Sequence, residues 1–235
     1  MGIESRKVTD HIGVLNEKPL HAALKLQYAE STDLFEVPTD GFLIDIVRGD
    51  LLIEIQTQSF ASIKQKLTSL VARHPIRLVY PIAQEKWILK LAEDGQSQIS
   101  RRKSPKRGTL EDIFEELVSL PELLSHPNFS IEVVFIKEEE IRRYNRTRGW
   151  RRRGWVTHER RLLQIVARKL LKTPDDLCAV IPSFLAEPFT THDLAIAMNK
   201  SRRFAQKMVY CLRRMGSITS AEKRGNAVLY TRGIC

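Results

Sequence analysis

Apolar residues concentrate in two short runs, 42–47 and 51–55, on either side of Gly49-Asp50. A Gly-Asp pair between such runs predicts a tight two-residue turn. That turn sets a register in which Arg48 faces Leu51, Val47 faces Leu52, Ile46 faces Ile53 and Asp45 faces Glu54. Leu43, Val47 and Leu52 lie on one face, and Ile44, Ile46, Ile53 and Ile55 on the other. Strands apolar on both faces belong in a sheet covered on both sides. Upstream, Asn16 is placed to cap a helix running to about Tyr28, with Leu20, Ala23, Leu24 and Tyr28 as its stripe. Downstream, Phe60, Ile63, Leu67, Leu70 and Val71 predict a helix over 59–72. The run 76–82 reads as a strand returning parallel to the motif strand through that crossover. Further strands are expected at 87–91 and 131–136. Between them Thr109 caps a helix carrying Leu110, Ile113, Phe114 and Leu117. Residues 1–14 show no clear periodicity.

The second half changes character. Leu162, Leu163, Ile165, Val166 and Leu170 suggest a helix, Thr190 or Thr191 starts another, and Ser201 caps a third bearing Phe204, Met208 and Leu212. Gly216 ends it. The runs 218–222 and 227–231 flank Lys223-Arg-Gly-Asn226, a hairpin signal.

Composition adds a partner class. Of the 235 residues 43% are hydrophobic and 28% charged, a globular balance, but the net charge is +10. Such a chain gains affinity for polyanions by releasing counterions from phosphates. No apolar run approaches the ~18 residues of a spanning helix, and the N-terminus lacks a signal peptide's apolar core, so no membrane is expected. Cys178, Cys211 and Cys235 form no Cys-x-x-Cys pair, which argues against structural zinc and disulfides and for a reducing, cytoplasmic setting.

The hairpin register brings two acids together. Directly opposite residues share a face with Cβ atoms about 4.5–5.5 Å apart. Asp45 and Glu54 would repel there unless a cation sat between them. Mg²⁺ takes one or two carboxylates plus water and phosphate oxygens. Gln56, two residues on, points to the same face. The competing interpretation is a surface hairpin with two solvated acids.

Asp, a hairpin, then Glu-x-Lys resembles the core of the PD-(D/E)XK nuclease superfamily, here as Asp45 and Glu54-Ile55-Gln56. The resemblance covers roughly residues 15–136 and includes the upstream helix, the hairpin, the following helix and the returning strand. It implies a restriction endonuclease-like mixed sheet flanked by helices, with Mg²⁺ or Mn²⁺ held by Asp45, Glu54 and the Ile55 carbonyl. It also implies a lysine that orients the attacking water. Gln56 stands in that place, and Lys64 on the next helix is a candidate substitute. A helical acid near the metal is a further family feature, for which Glu17 is the candidate. Glu17, His21 and Lys25 share a helix face, and Glu36 is a weaker acidic candidate.

Basic segments supply the expected nucleic-acid contacts. Arg101, Arg102, Lys103, Lys106 and Arg107 lie in a run read as a basic loop and phosphate clamp. Residues 141–155 hold seven arginines and no acid, interleaved with Tyr144, Trp150 and Trp155, and read as a linker that docks on nucleic acid, with Arg151, Arg152 and Arg153 on phosphates. Residues 157–233 resemble a winged-helix DNA-binding domain. Arg202, Arg203, Gln206 and Lys207 would open its recognition helix, and Lys223 and Arg224 would tip its wing. The expected organisation is therefore a nuclease-like α/β domain (1–140), a basic linker (141–156) and an α+β winged helix (157–235). The expected function is metal-dependent cleavage of double-stranded or branched DNA, with a homodimer allowed. A catalytically inactive DNA-binding regulator and an RNA-binding protein are the alternatives.

Overall fold

The computed structural model describes residues 18–145, 147 and 154–233. Asn16 and Glu17 lie outside them, so the described chain starts at the N-terminus of helix α1 (Pro19–Tyr28), where Pro19 occupies a position that needs no backbone N–H. Two tight turns follow. Asp40 and Gly41, both at positive φ, join β1 (Leu34–Thr39) to β2 (Phe42–Arg48). Gly49, at φ +56°, helps turn β2 into β3 (Leu51–Ile55). The expected register holds as far as Ile46: Arg48 pairs with Leu51, Val47 with Leu52 and Ile46 with Ile53, but the ladder ends before the expected Asp45–Glu54 pair, and Ile44, expected beside Ile46, packs instead in the cluster with Leu52. A 3₁₀ turn (Phe60–Ile63), capped by the Ser59 hydroxyl, runs into α2 (Lys64–Leu70). The chain then returns parallel to β3 as β4 (Ile76–Leu91).

The sheet has seven strands in the order β1-β2-β3-β4-β6-β7, with β5 (Gln98–Lys103) paired to the far part of β4. It is mixed: β3, β4 and β6 (Phe129–Tyr144) run parallel, and β7 (Trp155–Leu171) returns antiparallel along β6. Between β5 and β6 lie a 3₁₀ turn (Leu110–Ile113) with a Thr109–Asp112 capping box and the one-turn helix α3 (Phe114–Leu117). Beyond β7 come α4 (Pro174–Cys178), α5 (Thr191–Ala197), α6 (Arg202–Arg214) and a hairpin of β8 (Ile218–Arg224) and β9 (Ala227–Arg232).

Several expectations need correcting. The strand expected at 87–91 is the continuation of β4, carried past a bulge between Ala83 and Glu85. Arg101, Arg102 and Lys103 belong to strand β5 rather than a loop, and Lys106 and Arg107 follow it. The helix expected from Leu162 to Leu170 is strand β7. The described ends of the expected 141–156 linker are strand: Ile141–Tyr144 ends β6, Trp155 and Val156 begin β7, and the two ends pair with each other. Trp150, Arg151, Arg152 and Arg153 lie outside the described residues.

Each sheet face has its own cover. Leu20, Leu24 and Tyr28 of α1 pack on Ile46, Ile53, Ile55, Val79 and Val134. The opposite face carries a larger cluster that runs without a break from Ile44, Leu52 and Leu78 through Phe114 and Leu117 to Leu194, Phe204, Met208 and Leu212. The helices after β7 therefore complete the core of the sheet instead of forming a separate one. Cys178 and Cys211 are buried in that cluster, as their apolar context implied.

Candidate active site

β3 ends beside the parallel strand β4, and ligands of such sheets bind at the carboxyl ends of the strands. Glu54 and Gln56 are there, both buried. Asp45 lies one residue beyond the last paired residue, Ile46, and its Oδ2 crosses to accept the Ile55 N–H at 2.8 Å. His21 of α1 brings Nε2 to 3.2 Å from the same oxygen. The third partner comes from α2. Lys66 Nζ is 2.5 Å from Glu54 Oε1 and donates to the Leu43 carbonyl. The other Glu54 oxygen, Oε2, is buried without a hydrogen-bond partner.

These contacts push the two acids apart. Burial raises the Glu54 carboxyl, and the nearby Asp45 charge raises it further, to about 7 despite Lys66. Burial also opposes ionisation of Asp45, but His21, the Ile55 N–H and Lys66 outweigh it and hold the carboxyl below its ordinary range. Among the described residues no three His, Cys, Asp or Glu side chains gather as a metal cage. Two carboxylates, one with a bare buried oxygen, nevertheless match the sparse protein ligand set that Mg²⁺ accepts.

The other candidates distribute unevenly. The Gln56 amide donates to the Ser59 carbonyl (3.0 Å) and Ser62 Oγ (2.9 Å), and its oxygen accepts from the Gln58 N–H. It pins the turn that leads into α2, the helix carrying Lys66. Lys64 is exposed and lines a different cleft with Thr68, Val118 and Tyr210. Lys66 is the α2 lysine that reaches the acids. Glu36, at φ +52°, bonds the buried Lys25.

Lys66 aside, Arg160, Lys86, Glu138 and Glu140 escaped the sequence reading. Arg160 of β7 donates to the Thr57 carbonyl at 2.8 Å and forks onto Glu138 Oε2 through two nitrogens at 2.9 and 2.6 Å. Lys86 Nζ sits 2.9 Å from Glu138 and 3.1 Å from Glu140. Glu140, also bound by Arg142 and Thr157, falls to about 2 because these partners overcome its burial. This network walls a cleft of about 490 Å³. Arg160 also borders a smaller cleft lined by Lys18 and Thr57, which in turn adjoins the about 270 Å³ hollow formed by His21, Glu54 and Gln56. Arg160 is thus a wall common to the first two clefts, and Lys18, Thr57 and Gln58 are common to the second and third. Arg160 went unnoticed because its segment has helical spacing. The signal that could have exposed it is the clustering of Glu, Lys and Arg along 137–143 and 158–161, which suits cross-strand ion pairs.

At the other end, Arg202, Arg203 and Gln206 on α6 are exposed, as are Lys223 and Arg224 at the β8–β9 tip. Lys207 instead pairs with Glu115 of α3, and Lys200 with Asp112 just before it.

A family described as "Domain of unknown function (DUF8091)" matches residues 18–172, from the start of α1 to the end of β7. The chain belongs to this family. The family segment holds His21, Asp45, Glu54, Gln56, Lys66 and Arg160, and all the residues that line the three clefts lie within it. An "Uncharacterized protein" of Treponema pallidum (strain Nichols) is 32% identical over 223 residues, covering 94% of this chain and 87% of that protein. That similarity takes in most of the helices and the hairpin beyond β7 as well. No solved structure matches. None of the described helices is long and apolar enough to cross a membrane.

Proposed function

We propose that this chain is a metal-dependent endonuclease acting on double-stranded or branched DNA, with a PD-(D/E)XK-like core and a winged-helix-like C-terminal unit. The observation that carries the reading is the meeting of Asp45, Glu54 and Lys66 at the carboxyl end of β3, with Glu54 Oε2 buried and unbonded. Helix, hairpin, helix and a strand returning parallel to the motif strand also follow in the order the resemblance implies. In the C-terminal unit, three helices followed by a basic-tipped hairpin, with Arg202, Arg203 and Gln206 facing solvent, support a DNA-reading role.

Mg²⁺ or Mn²⁺, held by Asp45, Glu54 and the Ile55 carbonyl, would lower the pKa of water and neutralise charge at the scissile phosphate. The chain's own residues do the rest. His21 and the Ile55 N–H keep Asp45 ionised and aimed. Lys66 brings the positive charge that an amide at position 56 cannot supply. Gln56 holds the turn that delivers Lys66, and Arg160 fixes that turn to β7 through the Thr57 carbonyl.

One observation favours a second reading. Lys66 already neutralises Glu54, as an ammonium replacing a metal would, which suits a cleavage-free DNA-binding regulator. Incubating supercoiled plasmid with the protein, with and without Mg²⁺ or Mn²⁺ and beside Asp45→Ala, separates them. Metal-dependent nicking lost in Asp45→Ala supports the enzyme. Tight duplex binding without nicking supports the regulator. Preference for RNA at matched salt would displace both.

A further inference from the structure

Beyond the end of β3 the sheet continues as an arm, formed by β5, the outer part of β4, β6 and β7. Its cations fall into two groups. One group is matched by acids: Lys86 by Glu138 and Glu140, Arg101 by Glu139, Lys103 by Glu85, Arg142 by Glu140 and Arg160 by Glu138. The other has no acid partner among the described residues and includes Lys90, Arg102 and Lys106, of which Arg102 and Lys106 are exposed.

These three share a side of the sheet. Arg102 is directly opposite Ile88, and Lys90 is two residues from Ile88. Ile88 and Lys106 line the same cleft as Tyr80, Lys86 and Arg160. Glu54 belongs to that side too, since its β4 partner Leu78 packs in the cluster with Tyr80.

The tryptophans say what kind of nucleic acid fits. Trp155 carries the Lys90 ammonium 4.4 Å from its ring centroid, with Tyr144 edge-on at 5.8 Å. Trp87, on the opposite side, carries the Arg101 guanidinium at 4.2 Å. Single-strand binders offer open aromatic faces to unstacked bases. Among the described residues both indoles, Trp87 and Trp155, already carry a cation, so this part of the arm presents charge more than open stacking faces.

We propose that Lys90, Arg102 and Lys106 form a track for the phosphate backbone of double-helical nucleic acid, leading along the arm to the Asp45–Glu54 site. This rests on the nucleic-acid part of the function proposed above and not on cleavage. Leu78 and Lys90 are twelve residues apart on β4, roughly 40 Å at about 3.3 Å per residue. That span corresponds to about 12 base pairs at ~3.4 Å each.

The test uses the full chain in EDTA and reads fluorescence anisotropy over a salt series with 12- and 24-base-pair duplexes and a 24-nucleotide single strand. Wild type is expected to bind the 24-mer duplex tightest. Lys90→Gln/Arg102→Gln/Lys106→Gln should weaken that binding at least tenfold near 150 mM salt and reduce the log–log slope by about 2–3, at about 0.9 per phosphate. Lys90→Arg/Arg102→Lys/Lys106→Arg should restore the slope. Lys169→Gln/Lys172→Gln, exposed lysines at the far end of β7, should leave it within about 0.5 of wild type. An unchanged slope in the triple Gln variant overturns the track while leaving nucleic-acid binding intact, and tighter binding of the single strand overturns it as well. Wild type that binds no duplex defeats both proposals, whereas a protein that never cleaves but shows the slope change keeps this one.

Discussion

Lys66 Nζ lies 2.5 Å from Glu54 Oε1, although the two are twelve positions apart and the end of β3, a turn, a 3₁₀ turn and the start of α2 lie between them. The Gln56 amide closes that turn, so the residue standing in the expected lysine position helps to deliver a lysine from elsewhere.

If Lys66 supplies charge to the reacting phosphate, Lys66→Met should lower plasmid nicking about 10²- to 10³-fold, the usual cost of removing one such stabilising group. Lys64→Met should stay within about twofold of wild type, because Lys64 faces a different cleft. Equal losses in both variants would remove Lys66 from the mechanism.

The pH dependence of stability has a definite sign. The Glu54 carboxyl titrates near 4.5 when unfolded and about 7 when folded, so between these values the native state binds more protons than the unfolded state. Its contribution to stability is greatest below about pH 4.5 and falls as pH rises toward 7, by up to about 3 kcal/mol. Glu54→Gln in EDTA should therefore melt higher than wild type at pH 8 and about equally at pH 4.5. A lower melting temperature at pH 8 would mean that the Lys66 ion pair outweighs the burial cost.

Gly108 marks a close approach. A Cβ there would fall 2.5 Å from Ile82 Cγ2 and 2.8 Å from the Ala83 carbonyl oxygen. Gly108→Ala should cost about 1–3 kcal/mol through overpacking, measured by urea denaturation. No change in midpoint would show that the 104–108 loop can retreat from β4.

The shared core predicts unfolding behaviour. Because one apolar cluster joins Ile44 and Leu78 to Phe204 and Met208, calorimetry should show a single transition. A fragment of residues 140–235 should fail to fold, since it strips β7 of most of β6. Two separated transitions would restore the independent-domain organisation that the sequence suggested.

Much of the fold was legible where local chemistry and tertiary context agree. Gly49-Asp50 fixed the β2–β3 register, Ser201 and Gly216 bounded α6, and Thr190 capped α5. β1 was missed, although Asp40-Gly41 is the same kind of turn signal as Gly49-Asp50. β7 was misread for a physical reason. Its pairing with β6 slips at Phe135/Ile136, Lys137/Glu138 and Ile141/Arg142, leaving Val166, Leu163 and His158 as extra residues. Each bulge breaks the two-residue alternation, so Leu162, Leu163, Ile165 and Val166 acquire a helix-like spacing. Of the candidate site, Asp45 and Glu54 were readable from register alone. Lys66 was not, because the direction of a lysine on a short helix depends on the turn before it.

Only Lys172 and Thr173 separate the end of β7 from the start of α4, and Lys200 and Lys207 clasp Asp112 and Glu115 near α3. The helix proposed to read DNA and the acids proposed to cut it thus sit on one stiff body, like the two jaws of a locked caliper. A nuclease built this way has no slack between where it recognises and where it breaks the strand. Its products should end at a single phosphodiester set by that span, not at a ragged series of neighbouring ones.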